Sequence, residues 1–294
     1  MQSNFTRRKF ARLAVGAGAG LAGAPVCTAH DRITSKFSGV TVGAQSYSFR
    51  DRPLDEAIAA MKQIRIGSCE LWSGHTEPLR ELRRDREKLR AFRLETPLRH
   101  YEEIGESFHA AGIELNAFNY SFRDDFTDEE IARGFEMAKA MGAKALTASG
   151  TVSVAGRVNG HAQRYRMTVG MHNHSRIREN EYATPDDFAA ASKGNSHIGV
   201  NLDIGHFIAA GFDPLDYIKQ NHAQIIALHI KDRKRDQGEN VPFGEGDTPI
   251  REVLALLRDN SYDIPANIEY EYKGGDTVEE VEKCFNYCKR ALAS

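Results

Sequence analysis

The sequence predicts an α/β fold of the (β/α)8 TIM-barrel class, and three observations carry that expectation. From about residue 38 onward, short apolar runs alternate with longer amphipathic ones, eight of each, through to the C-terminus. Four of the later apolar runs end in a histidine or an acidic residue just where the run turns polar. The 294-residue length fits one such barrel, which takes about 250 residues. An open doubly wound sheet is the rival, but no glycine-rich turn follows the first strand, which disfavours its dinucleotide-binding form. No repeat of solenoid length and no low-complexity linker divides the chain, so residues 38–294 are read as one domain.

The first strand is expected at residues 40–46 (V-T-V-G-A-Q-S), followed by a helix at 54–63 with Leu54, Ile58 and Met61 on one face. Ser68–Trp72 is the second strand. Residues 80–94 carry dense charge of both signs and read as a solvated helix. A helix at 101–110 ends at Gly112, and strand three follows at 113–118. Asp128–Met141 opens with three acidic residues, which suit a helix N-terminus, and is stopped by Gly142. Strand four (145–149) leads to a poorer helix, 152–165, which contains Gly156 and Gly160. Strand five is 168–174, and Thr184-Pro185 caps the helix after it. Strand six (Ile198–Asp203), helix Pro214–Asn221, strand seven (225–229), helix Ile250–Asp259, strand eight (266–270) and helix 278–292 complete the set.

Residues 1–29 stand apart. Thr6-Arg7-Arg8-Lys9-Phe10 precedes a Gly/Ala-rich, weakly apolar run that ends near Cys27-Thr28-Ala29, which resembles a twin-arginine signal peptide. The expected location is therefore periplasmic, or otherwise exported, with no membrane attachment after cleavage. Without that segment the chain holds 35 basic against 41 acidic residues, a net charge of −6, which offers nucleic acid no electrostatic help. Cys69, Cys284 and Cys288 show no paired zinc spacing; Cys69 reads as a small core residue.

In a parallel barrel, chemistry sits at the C-terminal strand ends. His172, Asp203, His229 and Glu269 hold that position on strands five to eight. Two imidazoles and two carboxylates suit one divalent ion (Mn²⁺, Co²⁺, Zn²⁺, Fe²⁺ or Mg²⁺) better than calcium, which prefers oxygen alone. Strand parity pairs His174 with His172 and Glu271 with Glu269, so it leaves open which histidine of H-N-H is the ligand. His206, three residues past Asp203, and Lys231, two past His229, fall near the same mouth. Glu70 and His75 are expected to approach from the opposite side. Trp72, the only tryptophan, suits either stacking on a sugar face or a core position. The loop Pro242-Phe243-Gly244-Glu245-Gly246-Asp247 fits closure over a neutral substrate, and no arginine- or lysine-rich clamp is evident at the strand ends.

Taken together, M-H-N-H, N-L-D-I-G-H, L-H-I-K-D, F-G-E-G-D and I-E-Y-E resemble the sugar phosphate isomerase/epimerase family, the xylose-isomerase-like TIM barrels of the AP endonuclease 2 superfamily. The resemblance runs over residues 40–292. It implies one divalent ion on His172, Asp203, His229 and Glu269, binding adjacent oxygens of a keto sugar. It also implies a metal-dependent isomerase or epimerase that turns over a keto sugar or keto-polyol through an enediolate. Glu269 or His174 would take the α-proton, and Lys231 or Glu70 would return it. His206, Trp72, His75 and Glu271 would contact the carbohydrate. One departure matters: ketose 3-epimerases carry glutamate where this chain has His172. The swap resembles 2-keto-inositol dehydratases and keto-glycoside lyases, so β-elimination stands as the alternative, beside a non-catalytic sugar-binding barrel. Apurinic endonucleases share the superfamily but need more metal ligands and a basic groove. Homo-oligomerisation is left open.

Overall fold

The computed structural model describes residues 32–82 and 84–294. The expected signal segment lies outside them. Among the described residues nine strands run in chain order: β1 (Lys36–Phe37), β2 (Val40–Gln45), β3 (Ser68–Trp72), β4 (Glu114–Asn119), β5 (Leu146–Ala148), β6 (Val169–His172), β7 (Ile198–Asp203), β8 (Ile225–Ile230) and β9 (Ala266–Ile268). Strands β2 to β9 are parallel, each paired with its neighbour, and β9 pairs back onto β2, so the barrel is closed. Closure removes every edge from the parallel sheet. The small strand β1 was not expected; it pairs antiparallel with β2 through a turn whose Ser38 and Gly39 take φ of 46° and 88°.

The helices are α1 (Leu54–Ile64), α2 (Leu79–Leu82), α3 (Arg86–Glu95), α4 (Leu98–Ala110), α5 (Asp128–Met141), α6 (Ala155–Tyr165), α7 (Pro185–Ser192), α8 (Ile204–Ala209), α9 (Pro214–Asn221), α10 (Ile250–Asp259) and α11 (Thr277–Ala293). Their starts follow local chemistry. Thr127 and Thr184 each form a reciprocal cap with the acidic residue three positions on, and Asp276 caps α11. Alternate strand residues such as Val200, Leu202, Leu228 and Ile230 are buried with the helix faces in one continuous core.

One expectation is corrected here. The charged stretch at 80–94 is not simply solvated. It breaks into α2 and α3, and three of its arginines turn inward. Arg93 pairs with buried Glu77 at 2.8 Å, while Arg86 and Arg90 reach Glu130 on α5 at 2.8 and 2.7 Å. A mixed-charge pattern read without the facing helix does not reveal buried partners.

The barrel interior is polar where branched apolar side chains usually fill it. The Glu70 carboxylate is fully buried and accepts hydrogen bonds from Gln45, Thr147, Asn201 and Asn267 at 2.6–3.1 Å. Asn267 also joins Asn116, which joins Ser68. Gly43 makes room for this layer: a Cβ there would lie 2.4 Å from Asn267 Oδ1. Several donors on one carboxylate offset the cost of burying its charge.

Candidate metal centre

Directly above that layer, at the C-terminal mouth, His172, Asp203, His229 and Glu269 each offer one ligand atom, all within 4.8 Å of one another. Each is aimed by a second contact. The His229 Nε2–H faces Glu70 Oε2 at 2.8 Å, which turns Nδ1 to the mouth side. His172 Nδ1 meets Ser149 Oγ at 3.1 Å, so Nε2 is the nitrogen turned to the centre. Asp203 spends Oδ1 on the His206 backbone N–H, 2.6 Å away, as the N-cap of α8, and keeps Oδ2 for the centre. The Glu269 backbone N–H binds Ile230 O, and just beyond it Tyr270 N donates to Ser48 Oγ, which itself donates to Ile268 O. The loop after β2 thus clamps the chain that carries Glu269.

Four buried atoms converge without an aligned hydrogen-bond partner among the described residues: His172 Nε2, Asp203 Oδ2, His229 Nδ1 and Glu269 Oε2. His172 Nε2 lies 3.7 Å from Asp203 Oδ2, and His229 Nδ1 lies 3.2 Å from Glu269 Oε2 and 4.0 Å from Asp203 Oδ2. Ligands at about 2.0–2.2 Å from one ion stand about 3.0–3.5 Å apart, close to these separations. Leaving several buried polar atoms unpaired is costly. A single divalent ion satisfies them together, and a set of two imidazoles and two carboxylates suits a transition metal or zinc. These residues fit the ion.

Lys231 sits beside the same oxygens, its Nζ 3.0 Å from Asp203 Oδ2, 2.7 Å from Glu269 Oε2 and 2.5 Å from Glu271 Oε2. Burial alone would lower its pKa, but the three carboxylates more than reverse that and hold it charged. Burial alone would raise the Asp203 carboxyl; His206 and Lys231 hold it well below the usual range. Glu269 follows the same pattern, with Lys231 and His229 opposing burial. Burial chiefly pushes down the pKa of His206, which lies between Lys231 Nζ at 3.1 Å and Arg233 Nη1 at 2.7 Å.

The other expected residues divide into two groups. His174 faces open space above the ligands, its ring 5.0 Å from His172 and 5.5 Å from His206. Glu271 reaches the centre through Lys231. Trp72 stands edge-on to Tyr47 at 5.0 Å and to His75 at 5.5 Å, and His75 Nδ1 meets Ser46 Oγ at 2.9 Å. Tyr47 feels Glu271 and Glu269 after its own partial burial, so this aromatic cluster borders the mouth. Glu70 is a correction. It does not approach the mouth from the far side; it lies beneath the ligands, sealed in its hydrogen bonds, and touches the centre only through His229.

Some residues escaped the sequence reading. Gln45, Thr147, Asn201 and Asn267 build the layer under the ligands, and their signal, a polar residue at an inward strand position, is weak in any one strand. Tyr47 follows the first strand end, where the motifs gave no prompt. The absence of a basic clamp is also corrected. A cavity of about 470 Å³ beside His174 and His206 is lined by Arg123, Arg176, Arg178 and Arg233. Arg176 and Arg178 share the loop after β6, whereas Arg123 and Arg233 come from the loops after β4 and β8, so no run of the sequence displays all four together.

A family model described as xylose isomerase-like TIM barrel matches residues 58–288. L-ribulose-5-phosphate 3-epimerase UlaE of Salmonella paratyphi C is 32% identical over 93 residues, 31% of this chain and 33% of that protein. The chain therefore matches about a third of the length of this curated relative. Among solved structures, apo 3-keto-D-glucoside 4-epimerase YcjR from E. coli superposes with a TM-score of 0.65 at 14% identity, covering 85% of this chain and 99% of that one. The IolI protein with a bound zinc atom superposes with a TM-score of 0.64 at 14% identity, covering 86% and 96%. Likenesses at this identity establish the shared fold.

Proposed function

We propose, from the premise that this chain belongs to the xylose isomerase-like TIM barrel family, that it is a divalent-metal-dependent isomerase or epimerase of a keto sugar or keto-polyol. The observation that carries the reading is the convergence of four buried ligand atoms without aligned hydrogen bonds at the barrel mouth, with charged and basic side chains packed around them. The bound ion would polarise a ketone and so acidify the adjacent C–H. The protein's own groups supply the rest. Glu269 and His174 leave strands three apart in the barrel and flank the centre, which supports assigning them to different faces of a sugar. Lys231, held by three carboxylates, serves as a fixed positive charge beside developing negative charge rather than as a proton source. Glu70 orients His229, and Tyr47 with Trp72 offers an aromatic wall for the sugar. YcjR and UlaE, named as epimerases of a keto-glucoside and of a ketose phosphate, support the substrate class; zinc in IolI supports the ion.

A second reading rests on His172. With Nε2 turned to the centre, it is not free as a base, which leaves the second proton transfer to His174. β-Elimination from a keto-glycoside or keto-inositol needs one base and a leaving group, and it uses the same enolisation. Metal-loaded protein incubated in D₂O with ketoses, keto-inositols and 3-keto-glycosides separates the outcomes by NMR. Deuterium at the carbon next to the ketone with an isomeric product supports the first reading, and loss of a β-substituent supports the second. Glu269→Gln is expected to slow the exchange at least about 100-fold. No exchange with any member of the panel sinks both. We further propose export through the twin-arginine signal, which a Lys-Lys replacement of Arg7-Arg8 tests: retention of the variant in the cytoplasm is expected, and unchanged export contradicts it.

A further inference from the structure

The cavity beside the metal centre has a charge the rest of the chain does not share. The whole protein carries a formal net charge of −2, yet this cavity is lined by four arginines against one carboxylate, Glu181. Arg233 is fixed: its guanidinium donates to Gly238 O and Ser175 Oγ and contacts His206 Nδ1 at 2.7 Å. Arg178 lies 3.8 Å from Glu181. Arg123 and Arg176 are exposed, and their side chains make no hydrogen bond or ion pair with any described residue.

The loops that present them are tied together. Asp124, next to Arg123, accepts from Ser153 Oγ at 2.6 Å and from Asn180 Nδ2 at 3.0 Å, and Thr151 bridges to Glu181. The loops after β4, β5 and β6 therefore hold the guanidiniums in one rim. Like charges gathered without partners repel one another, and a bound anion relieves that repulsion. Arginine is also the side chain best matched to a two-oxygen acceptor. His174 and His206 belong both to this cavity and to the surroundings of His172, so one small molecule can touch the metal centre and the arginines together.

We propose that the cavity lined by Arg123, Arg176, Arg178 and Arg233 binds an oxyanion, a carboxylate or a phosphate ester, carried by the substrate on the side away from its ketone. That the anion belongs to the substrate rests on the enzymatic reading above. This proposal departs from the neutral substrate expected from sequence.

Calorimetry tests this without turnover. Metal-loaded wild type and an Arg123→Gln/Arg176→Gln double variant are titrated with inorganic phosphate, D-gluconate and neutral D-glucitol at low ionic strength. Both side chains are exposed and unpartnered, so folding is unaffected, and equal metal loading cancels any anion binding at the ion. At least one oxyanion is expected to bind wild type and to bind the double variant about tenfold more weakly, with glucitol unchanged, and the gap is expected to shrink in high salt. The preferred anion distinguishes phosphate from carboxylate. The proposal is overturned if neither anion binds wild type, if the double variant binds like wild type, or if glucitol is lost equally. A protein that binds the oxyanion but exchanges no deuterium keeps this site and loses the enzymatic reading.

Discussion

His229 has two nitrogens with separate tasks, and Glu70 decides which does what. Its carboxylate takes Nε2–H at 2.8 Å, so Nδ1 is left to an ion. Glu70→Gln keeps the shape but can offer its amide group as a donor where an acceptor is needed. We expect metal affinity to fall about 10–100-fold, measured by competition with a chromophoric chelator, with the circular dichroism of the barrel retained. Unchanged affinity would remove Glu70 from any role at the centre. The four ligand positions were legible as strand-end residues, and the resemblance agreed on them. The choice between His172 and His174 was not, because alternation gives both the same face; the contact with Ser149, one residue past β5, turns His172 Nε2 to the centre and favours His172. The layer of Gln45, Thr147, Asn201 and Asn267 was hidden for a similar reason. Each is one polar residue in an apolar run, and only closure of the barrel brings them to a common carboxylate.

Among the elements, α3 and α5 are joined by charge rather than by apolar contact alone. Glu130 is fully enclosed; burial by itself would raise its carboxyl, but hydrogen bonds from Arg90 and Arg86 reverse this and hold it below the usual range. A depressed carboxyl stabilises the fold at pH values above its unfolded pKa of about 4.3, and that contribution fades as the pH falls through the lower folded value. Glu130→Gln should cost about 3 kcal/mol near neutrality by urea unfolding, and the gap from wild type should close in acid. A pH-independent gap would point to lost packing instead. The loop after β8 shows a second device. Buried Asp232 accepts the backbone N–H groups of Gly244 and Gly246 at 2.7 and 3.0 Å, and a Cβ on Gly246 would lie 1.9 Å from its carboxylate. Gly246→Ala should therefore release the segment 242–247, seen as faster proteolysis there, with the circular dichroism of the barrel unchanged. The glycines of F-G-E-G-D were visible in sequence, whereas their partner, one residue past Lys231, reads as an ordinary strand-end acid.

For the whole molecule, eight alternating units predicted the barrel because each apolar run is buried under helices and each helix has one apolar face. Closure was part of that prediction; register was beyond sequence, since it follows from which residues meet, as in β2 with β9 at Val42–Ala266, far apart in the chain. Function follows from that closure, which places His172, Asp203, His229 and Glu269 around one point and a ring of arginines beside it. The most direct measurement is the rate of deuterium uptake next to the ketone of a keto sugar, followed as metal-stripped protein is titrated with a divalent ion. Uptake is expected to rise from background to a plateau at one equivalent of metal per chain, and Asp203→Ala is expected to abolish the rise. Exchange at full rate in stripped protein, or none at any metal loading, would contradict it.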